Sequence, residues 1–168
     1  MDIRALTAQD WPQVQAIFAE GIATGHATFE SAPPSWNEFD ARKVAHSRLV
    51  AVDAGGAILG WVAASHVSGR AVYAGVIEHS VYVDGGARGR GVGAALLGEF
   101  IASAEAKGVW TIQSSIFPEN ESSLRLHAAF GFRTVGYRER IALMTYGPMA
   151  GQWRDTLVLE RRSSGRGQ

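Results

Sequence analysis

A glycine-rich stretch in the middle of the chain has the residue types that bind phosphate groups. It spans 84–93, reads DGGARGRGVG and contains five glycines. It separates an alternating apolar run at 76–83 from a helical apolar pattern at 92–106. The first amides of a helix have no partner within it and lie at the positive end of its dipole, so this bare backbone suits an anion. Arg88 and Arg90 add two cations that a simple turn does not need, which favours a pyrophosphate site.

Two better-known phosphate motifs do not fit this loop. Gly89, Gly91 and Ala94 satisfy the dinucleotide pattern G-x-G-x-x-[GA], but the acidic residue expected about 20 positions later is missing from 111–115. A Walker loop requires Gly-Lys-Ser/Thr, which does not occur in the chain. A flexible strand-to-helix turn without a ligand is the remaining alternative.

Strands and helices alternate along the chain, and they must position this loop. The patterns predict strands over 1–6, 49–53, 58–64, 76–83, 109–117, 134–144 and 154–160, and helices over 7–22, 37–47, 92–106 and 124–130. The interleaving indicates the α/β (α+β) class with a mixed sheet. The 168 residues suit one domain, expected over 1–160, with a disordered tail over 161–168.

Composition argues against several classes of function. Sixteen Lys plus Arg balance sixteen Asp plus Glu, which does not suit a nucleic-acid or membrane-surface binder. The chain has no cysteine, so thiol nucleophiles and thiolate ligands are excluded, and His26, His46 and His66 lack the spacing of metal ligands. The N-terminus has no apolar signal region, and a cytoplasmic location is expected.

Several motifs, in the right order, resemble the GNAT superfamily of N-acetyltransferases. The run 88–93 is similar to its [Arg/Gln]-x-x-Gly-x-[Gly/Ala] loop, and Asn120 ahead of 126–132 (LHAAFGF) resembles its Asn…Leu-Tyr-x-x-x-Gly-Phe pattern. More narrowly, 78–83 (EHSVYV) and 151–155 (GQWRD) look like the phosphinothricin and methionine sulfoximine acetyltransferase branch. The resemblance implies a GNAT acyl-CoA N-acyltransferase fold with a splayed, mostly antiparallel sheet flanked by helices. It also implies acetyl-CoA as co-substrate and no metal.

The resemblance also implies where acetyl-CoA binds. One strand segment would offer backbone groups to the pantetheine arm, the glycine loop would hold the pyrophosphate, and the start of the helix after 118–123 would complete the site. The implied cofactor residues are Val81, Tyr82, Val83, Arg88, Gly89, Arg90, Gly91, Val92, Gly93, Ala94, Asn120 and Ser123.

Two side chains are candidates for the proton transfers of acetylation. Glu78 lies in an otherwise apolar strand, where desolvation would make it a better base, although a solvent-facing strand glutamate is the alternative. His127 stands where many superfamily members carry Tyr near the thiol, so the resemblance implies a proton donor or relay, with a core histidine as the alternative. His79 points to the face opposite Glu78, so these two do not form a dyad.

The acceptor is expected to be the amine of a small amino-acid-like compound such as phosphinothricin or methionine sulfoximine. By resemblance its residues are Thr28, Phe29, Glu30, Arg70 and Tyr73, with Arg70 suited to a carboxylate. Another small amine, a protein N-terminus or a non-catalytic CoA-binding module are the alternatives.

The chain departs from the branch pattern at two positions. Val76 replaces a usual Thr or Ser two residues before Glu78, and Ala74 replaces an Arg found in some members. Trp153 and Asp155 are expected in the far wall of the acceptor pocket or in a dimer contact, and a homodimer is implied by the resemblance.

Overall fold

The computed structural model describes residues 1–165, and its seven strands form one sheet. The strands are β1 Asp2–Ala5, β2 Leu49–Val52, β3 Ile58–His66, β4 Val76–Val83, β5 Thr111–Ile116, β6 Arg133–Leu143 and β7 Trp153–Arg162. Their order is β1-β2-β3-β4-β5-β7-β6. Only β4 and β5 pair in parallel, and the other neighbours are antiparallel. The mixed, mostly antiparallel sheet predicted from the sequence is confirmed.

Helices cover both faces of the sheet. They are α1 Trp11–Ala23, α2 Trp36–Arg42, α3 Val92–Ala106 and α4 Glu121–Ala129. Ser35 and Glu38 form a capping box that starts α2. Helix α2 ends at Arg42, five residues before the predicted end at 47, because Lys43 is extended and Val44 N donates to Ala64 O of β3.

Strand β4 contributes to two apolar cores, one on each face. On the α3 side, Leu96 and Phe100 pack in one cluster with Ile77 of β4. On the α1 side, Phe18 and Trp61 belong to a second cluster, against which Tyr82 of β4 packs. Alternate residues of β4 therefore face different sides of the sheet, as the strand pattern predicts.

The C-terminal strand extends further than expected. The tail was predicted to begin at 161, but Arg161 and Arg162 belong to β7 and lie opposite Ile112 and Thr111 of β5. The Arg161 guanidinium donates to Phe130 O at 3.0 Å and also bonds Glu105. The sequence around these two arginines has no strand pattern, because the residues with which they pair are distant along the chain. Residues 166–168 lie outside the described part.

Candidate functional site

Strands β4 and β5 pair only where they begin. Their register joins 76–78 to 111–113 and goes no further. Beyond that point β4 continues alongside β3 as far as Val83, while β5 continues alongside β7 as far as Ile116, so each strand follows its antiparallel neighbour. The two strands diverge, and the backbone of 79–83 faces an opening in the sheet.

A cavity of about 600 Å³ lies along this opening. It collects nearly all the predicted cofactor residues: Val81, Tyr82, Val83, Arg88, Gly89, Gly91, Val92, Gly93, Ala94, Asn120 and Ser123 line it. Arg90 does not line it. The pKa of Asp53 is lowered mainly by hydrogen bonds from nearby backbone amides, and the charge of Arg90 contributes to the same shift. Arg90 is therefore close enough to Asp53 of the β2–β3 turn for its charge to act there.

The glycine loop has the geometry of an anion site. Gly89 and Gly91 have φ of 73° and 79°, which glycine adopts without strain. A Cβ at either position would meet no protein atom within 4 Å, so it would project into open space. The first backbone hydrogen bond of α3 runs from Ala95 N to Gly91 O at 3.0 Å. The amides of 91–94 therefore have no partner within the helix. These residues fit the diphosphate of a nucleotide cofactor.

A second cavity, of about 350 Å³, contains the predicted base and part of the predicted acceptor loop. Its lining residues are Ala27, Thr28, Phe29, Glu30, Glu78, Ser80, Tyr82, Ser115, Phe117 and Thr156. Five of them line both cavities: Ala27, Ser80, Tyr82, Ser115 and Phe117. The two cavities therefore meet at the gap between β4 and β5.

Glu78 is not desolvated as expected. Its side chain is exposed, although it lines the acceptor cavity. Lys43, which follows α2 and is half-buried, has no motif around it that would single it out in the sequence. Burial lowers the pKa of Lys43, and the charges of Glu78 and Glu30 raise it, so the three groups share one electrostatic environment.

Two predicted acceptor residues lie elsewhere. Arg70 and Tyr73 are exposed and do not line the acceptor cavity, because 71–73 form a short 3-10 turn on the surface. The Arg70 guanidinium lies 5.8 Å from the centre of the Tyr73 ring. As a result, no lysine or arginine of the described residues lines this cavity, while Glu30 and Glu78 do.

His127 is buried and contacts the histidine that the sequence argument discounted. Its Nε2 lies 3.1 Å from Nε2 of His79, and both residues line the cofactor cavity. His127 Nδ1 lies 2.7 Å from Ser123 O, and His79 Nδ1 lies 3.1 Å from Gln113 O. Burial is the main cause that lowers the pKa of both rings. His79 does point away from Glu78. It points towards α4, which is distant in the sequence and adjacent to β4 in the fold.

Asn120 makes its hydrogen bonds within the protein. Its Oδ1 accepts from Ser123 N at 3.3 Å and from Ser122 Oγ at 3.1 Å, which caps α4. Its Nδ2 donates to His26 O at 3.3 Å. A contact between Asn120 and pantetheine stays a prediction.

Two residues that the sequence did not single out hold the early loop against the sheet. Arg154, only 2% exposed, donates to Gly25 O at 2.7 Å, and its guanidinium lies 4.2 Å from the centre of the Phe117 ring. Tyr146 donates its hydroxyl to Thr28 O at 2.7 Å. These contacts join the C-terminal strands to the loop that forms one wall of the acceptor cavity.

The expected far wall of the acceptor pocket lies outside both cavities. Trp153 is 59% exposed, and Asp155 accepts from the Tyr137 hydroxyl and from Arg140 N. Neither residue lines either cavity.

Two negative findings apply to residues 1–165. They contain no cluster of three or more His, Asp or Glu side chains that could hold a metal ion. Within the same range, no helix has the length and apolar character needed to cross a membrane.

Known proteins resemble this chain in both sequence and fold. Residues 9–132 match the acetyltransferase (GNAT) family. Phosphinothricin N-acetyltransferase of Alcaligenes faecalis is 36% identical over 165 residues, covering 95% of this chain and 81% of that protein. An L-methionine sulfoximine/L-methionine sulfone acetyltransferase of Pseudomonas paraeruginosa is 30% identical and covers 94% of this chain and 92% of its own.

The crystal structure of a phosphinothricin acetyltransferase from Sinorhizobium meliloti in complex with AcCoA superimposes with a TM-score of 0.83. It is 29% identical and covers 98% of this chain and 94% of that one. The resemblance and the fold expected from the motifs are thus confirmed, and the chain belongs to the acetyltransferase (GNAT) family.

Proposed function

We propose that this enzyme transfers an acetyl group from acetyl-CoA to the amine of a small amino-acid-like acceptor, such as phosphinothricin or methionine sulfoximine. One observation carries the proposal: a cavity with the glycine loop and a cavity with Glu78 meet at the gap between β4 and β5. The acceptors are those named for relatives 36% and 30% identical to this chain, and the donor is that of the Sinorhizobium meliloti complex.

The chain's own residues account for binding of the donor. Gly89 and Gly91 leave room for phosphate oxygens, the first amides of α3 donate to them, and Arg88 adds a positive charge. The open edge of β4 offers backbone groups of 81–83 to an extended arm. When bound, acetyl-CoA supplies a thioester whose acetyl group is transferred and whose sulfur leaves as a thiolate.

Glu78 acts as the base. An amine attacks a carbonyl only in its neutral form, so a group in the acceptor cavity must remove a proton from it. Glu78 is the carboxylate of this cavity that lies on β4, next to the gap, and its exposed side chain can pass the proton on to solvent.

His127 supplies the proton for the leaving thiolate. It lines the cofactor cavity and belongs to the face of the sheet opposite Glu78. Deprotonation of the amine and protonation of the sulfur then occur on different sides of the gap. The base and the acid therefore do not neutralise each other directly.

A second candidate acceptor is another small amine or a protein N-terminus. The acceptor cavity is lined by Glu30 and Glu78 and, among the described residues, by no cation that could pair with a carboxylate. Carboxylates attract an ammonium group, so this lining favours an acceptor without a carboxylate beside its amine.

Release of the CoA thiol tests both candidates directly. The chain has no cysteine, so a thiol reagent detects only CoA. The acceptors should include phosphinothricin, methionine sulfoximine, methionine sulfone, ordinary amino acids, polyamines and a short peptide. Turnover with the first three supports the main proposal, and turnover with polyamines or the peptide alone supports the second. No turnover with any of them contradicts both.

Glu78→Gln tests the base. We expect turnover to fall by about 10²-fold or more while acetyl-CoA affinity, measured by calorimetry, is kept. Glu99→Gln, on the exposed side of α3, is the matched control and should leave turnover unchanged. Equal turnover in Glu78→Gln and the unmodified enzyme would rule out Glu78 as the base.

A homodimer is also part of the proposal. Val135, Tyr137, Ile141 and Leu143 of β6 are between 44% and 56% exposed, which is unusual for apolar side chains on one strand and suits a contact with a second copy. Sedimentation equilibrium should show twice the mass of the 18.0 kDa chain. A single-chain mass at micromolar concentration would contradict it. The cytoplasmic location stays a prediction.

A further inference from the structure

The contact between His79 and His127 has an unusual hydrogen-bond pattern. The two Nε2 atoms lie 3.1 Å from each other, and each Nδ1 lies within 3.1 Å of a backbone carbonyl oxygen. A carbonyl oxygen can only accept, and Ser123 O lies nearer to His127 Nδ1 than the Ser123 hydroxyl does, at 2.7 Å against 3.4 Å, so each Nδ1 carries a hydrogen to make its bond to the carbonyl. Both Nε2 atoms are then bare acceptors that face one another.

Two neutral imidazoles do not have enough protons for this arrangement. Each neutral ring carries one N–H, which gives two hydrogens for three contacts. Whichever tautomers are chosen, one of the three contacts joins two acceptors, and the two residues are only 3% and 1% exposed. A third proton, placed between the Nε2 atoms, satisfies all three contacts.

We propose that His79 and His127 share this third proton, and that the pair is the proton reservoir for the leaving thiolate. The second half of the proposal rests on the acetyl transfer proposed above. His79 is thus a positioning residue, which acts on the sulfur through His127. Neither the sequence motifs nor the family resemblance assign it a role.

Burial disfavours the extra positive charge on the histidine pair, and hydrogen bonds to two backbone carbonyls favour it. Burial lowers the pKa of both rings, and the charge of His127 and, to a smaller extent, that of Lys43, after α2, lower the pKa of His79 further. The two carbonyls, Gln113 O from β5 and Ser123 O from α4, raise the pKa of the rings that they contact.

The aromatic side chains around the pair are uncharged. Phe100 of α3 stacks on His79 with ring centres 5.2 Å apart, and the Phe132 ring lies 5.0 Å from His127. The face of the stacked Phe100 ring attracts a cation at this distance, while the Phe132 contact is edge-to-face. The shared proton is therefore held by hydrogen bonds and by the Phe100 face against an unfavourable desolvation.

A proton held in this way is easily given up to sulfur. A thiol has a pKa of about 8.5, above that of a buried imidazolium, so transfer from the pair to a thiolate is favourable. When the C–S bond of the thioester breaks, its electron pair stays on the sulfur, and the shared proton moves to that sulfur. The pair then holds two protons and regains the third from solvent. Glu78 releases to solvent the proton that it takes from the amine, so protons and charge balance over one turnover.

Nitrogen-15 NMR of the ligand-free, unmodified protein tests the shared proton without any need for activity. The chain has five histidines, and His79→Asn and His46→Asn spectra identify the relevant rings. Between about pH 5 and 8 we expect both rings to stay protonated at Nδ1 and to gain one further proton in a single shared step. Two neutral rings throughout this range, or two rings that titrate independently, would overturn the proposal.

His79→Asn tests the role in turnover. The asparagine amide can still donate to Gln113 O, but it has no atom in the position of Nε2. His127 alone should hold its second proton less well, so the alkaline limb of kcat should move at least about 1 pH unit lower and kcat at pH 7 should fall about tenfold. Acetyl-CoA affinity should not change. His46→Asn, outside both cavities, is the control.

The two proposals fail in different ways. An unchanged alkaline limb in a folded His79→Asn protein would contradict the reservoir, whatever the acceptor is. A shared proton in the NMR spectra, together with no thiol release for any amine, would leave the histidine pair intact as a finding and contradict the acetyl transfer instead.

Discussion

Replacing Gly21 by alanine should damage the site through one aromatic ring. Gly21 is buried in α1, and a Cβ there would lie 2.6 Å from Cε1 and 2.7 Å from Cδ1 of Tyr82. Carbon atoms in ordinary contact are about 3.5–4.0 Å apart, so the ring must move by about 1 Å. Tyr82 stacks on Trp61 with ring centres 4.7 Å apart and also contacts Phe18, so the ring can move only towards the cavities that it lines.

The effect on stability can be separated from helix propensity by a matched variant. Alanine is favoured over glycine inside a helix by about 1 kcal/mol, while overpacking a core costs about 1–3 kcal/mol. Gly98 in α3 gives the same propensity gain, but its Cβ would lie 3.3 Å from the ring edge of the half-buried Phe130. We therefore expect Gly21→Ala to be less stable than Gly98→Ala by about 1–3 kcal/mol in urea unfolding.

Activity should fall as well, because Tyr82 lines both cavities. A displacement of about 1 Å at a reaction site can cost roughly 10- to 100-fold in rate, so we expect kcat/KM in the thiol-release assay to fall within this range. Gly98→Ala should keep its activity. If both variants are equally stable and equally active, Tyr82 is not held in place as argued, and the gap between the cavities does not depend on it.

Two further predictions concern charged groups. Arg88→Met should weaken acetyl-CoA binding, measured by calorimetry, at least about tenfold. Arg90→Met should weaken it much less, because Arg88 lines the cofactor cavity and Arg90 does not. Equal losses of affinity in the two variants would contradict this difference. A hydrogen bond from Arg4 is the main cause that lowers the pKa of Asp10 to about 2, so the stabilisation from this pair is present above about pH 4 and is lost as the pH falls through about 2. Asp10→Asn should lower the free energy of unfolding at pH 7 by about 1–2 kcal/mol and flatten the decline in acid, and an unchanged acid profile would refute the assignment.

The elements were predictable from the sequence because their signals are local. The alternation of 76–83 and the periodicity of 92–106 gave both elements with the bounds that the structure has. Errors occurred where a distant partner determines the end of an element. Helix α2 ends early because Val44 N donates to Ala64 O of β3. Strand β7 ends late because Arg161 pairs with β5 and its side chain bonds Glu105.

The positions of the candidate site residues were predictable to the same extent. The glycine loop, Glu78 and the segment 28–30 line the expected cavities because each is a continuous stretch next to the gap. Contacts between distant residues leave no local pattern: His79 and His127 are 48 positions apart, and Arg154 and Gly25 are 129. The position of Arg70 was not predictable for a related reason, since only the fold shows that its turn lies on the surface, outside the acceptor cavity.

The alternation of β4 keeps His79 away from Glu78, as predicted, and is compatible with the separate role proposed for His79. Neighbouring residues of a strand point to opposite faces, so Glu78 and His79 cannot act on the same atom. Acetylation of an amine, however, needs a proton removed from nitrogen and a proton delivered to sulfur. Because β4 and β5 diverge beyond Glu78, the two faces of β4 open into two cavities that meet at one gap. In the proposed reaction, consecutive residues of one strand therefore serve the two opposite proton transfers.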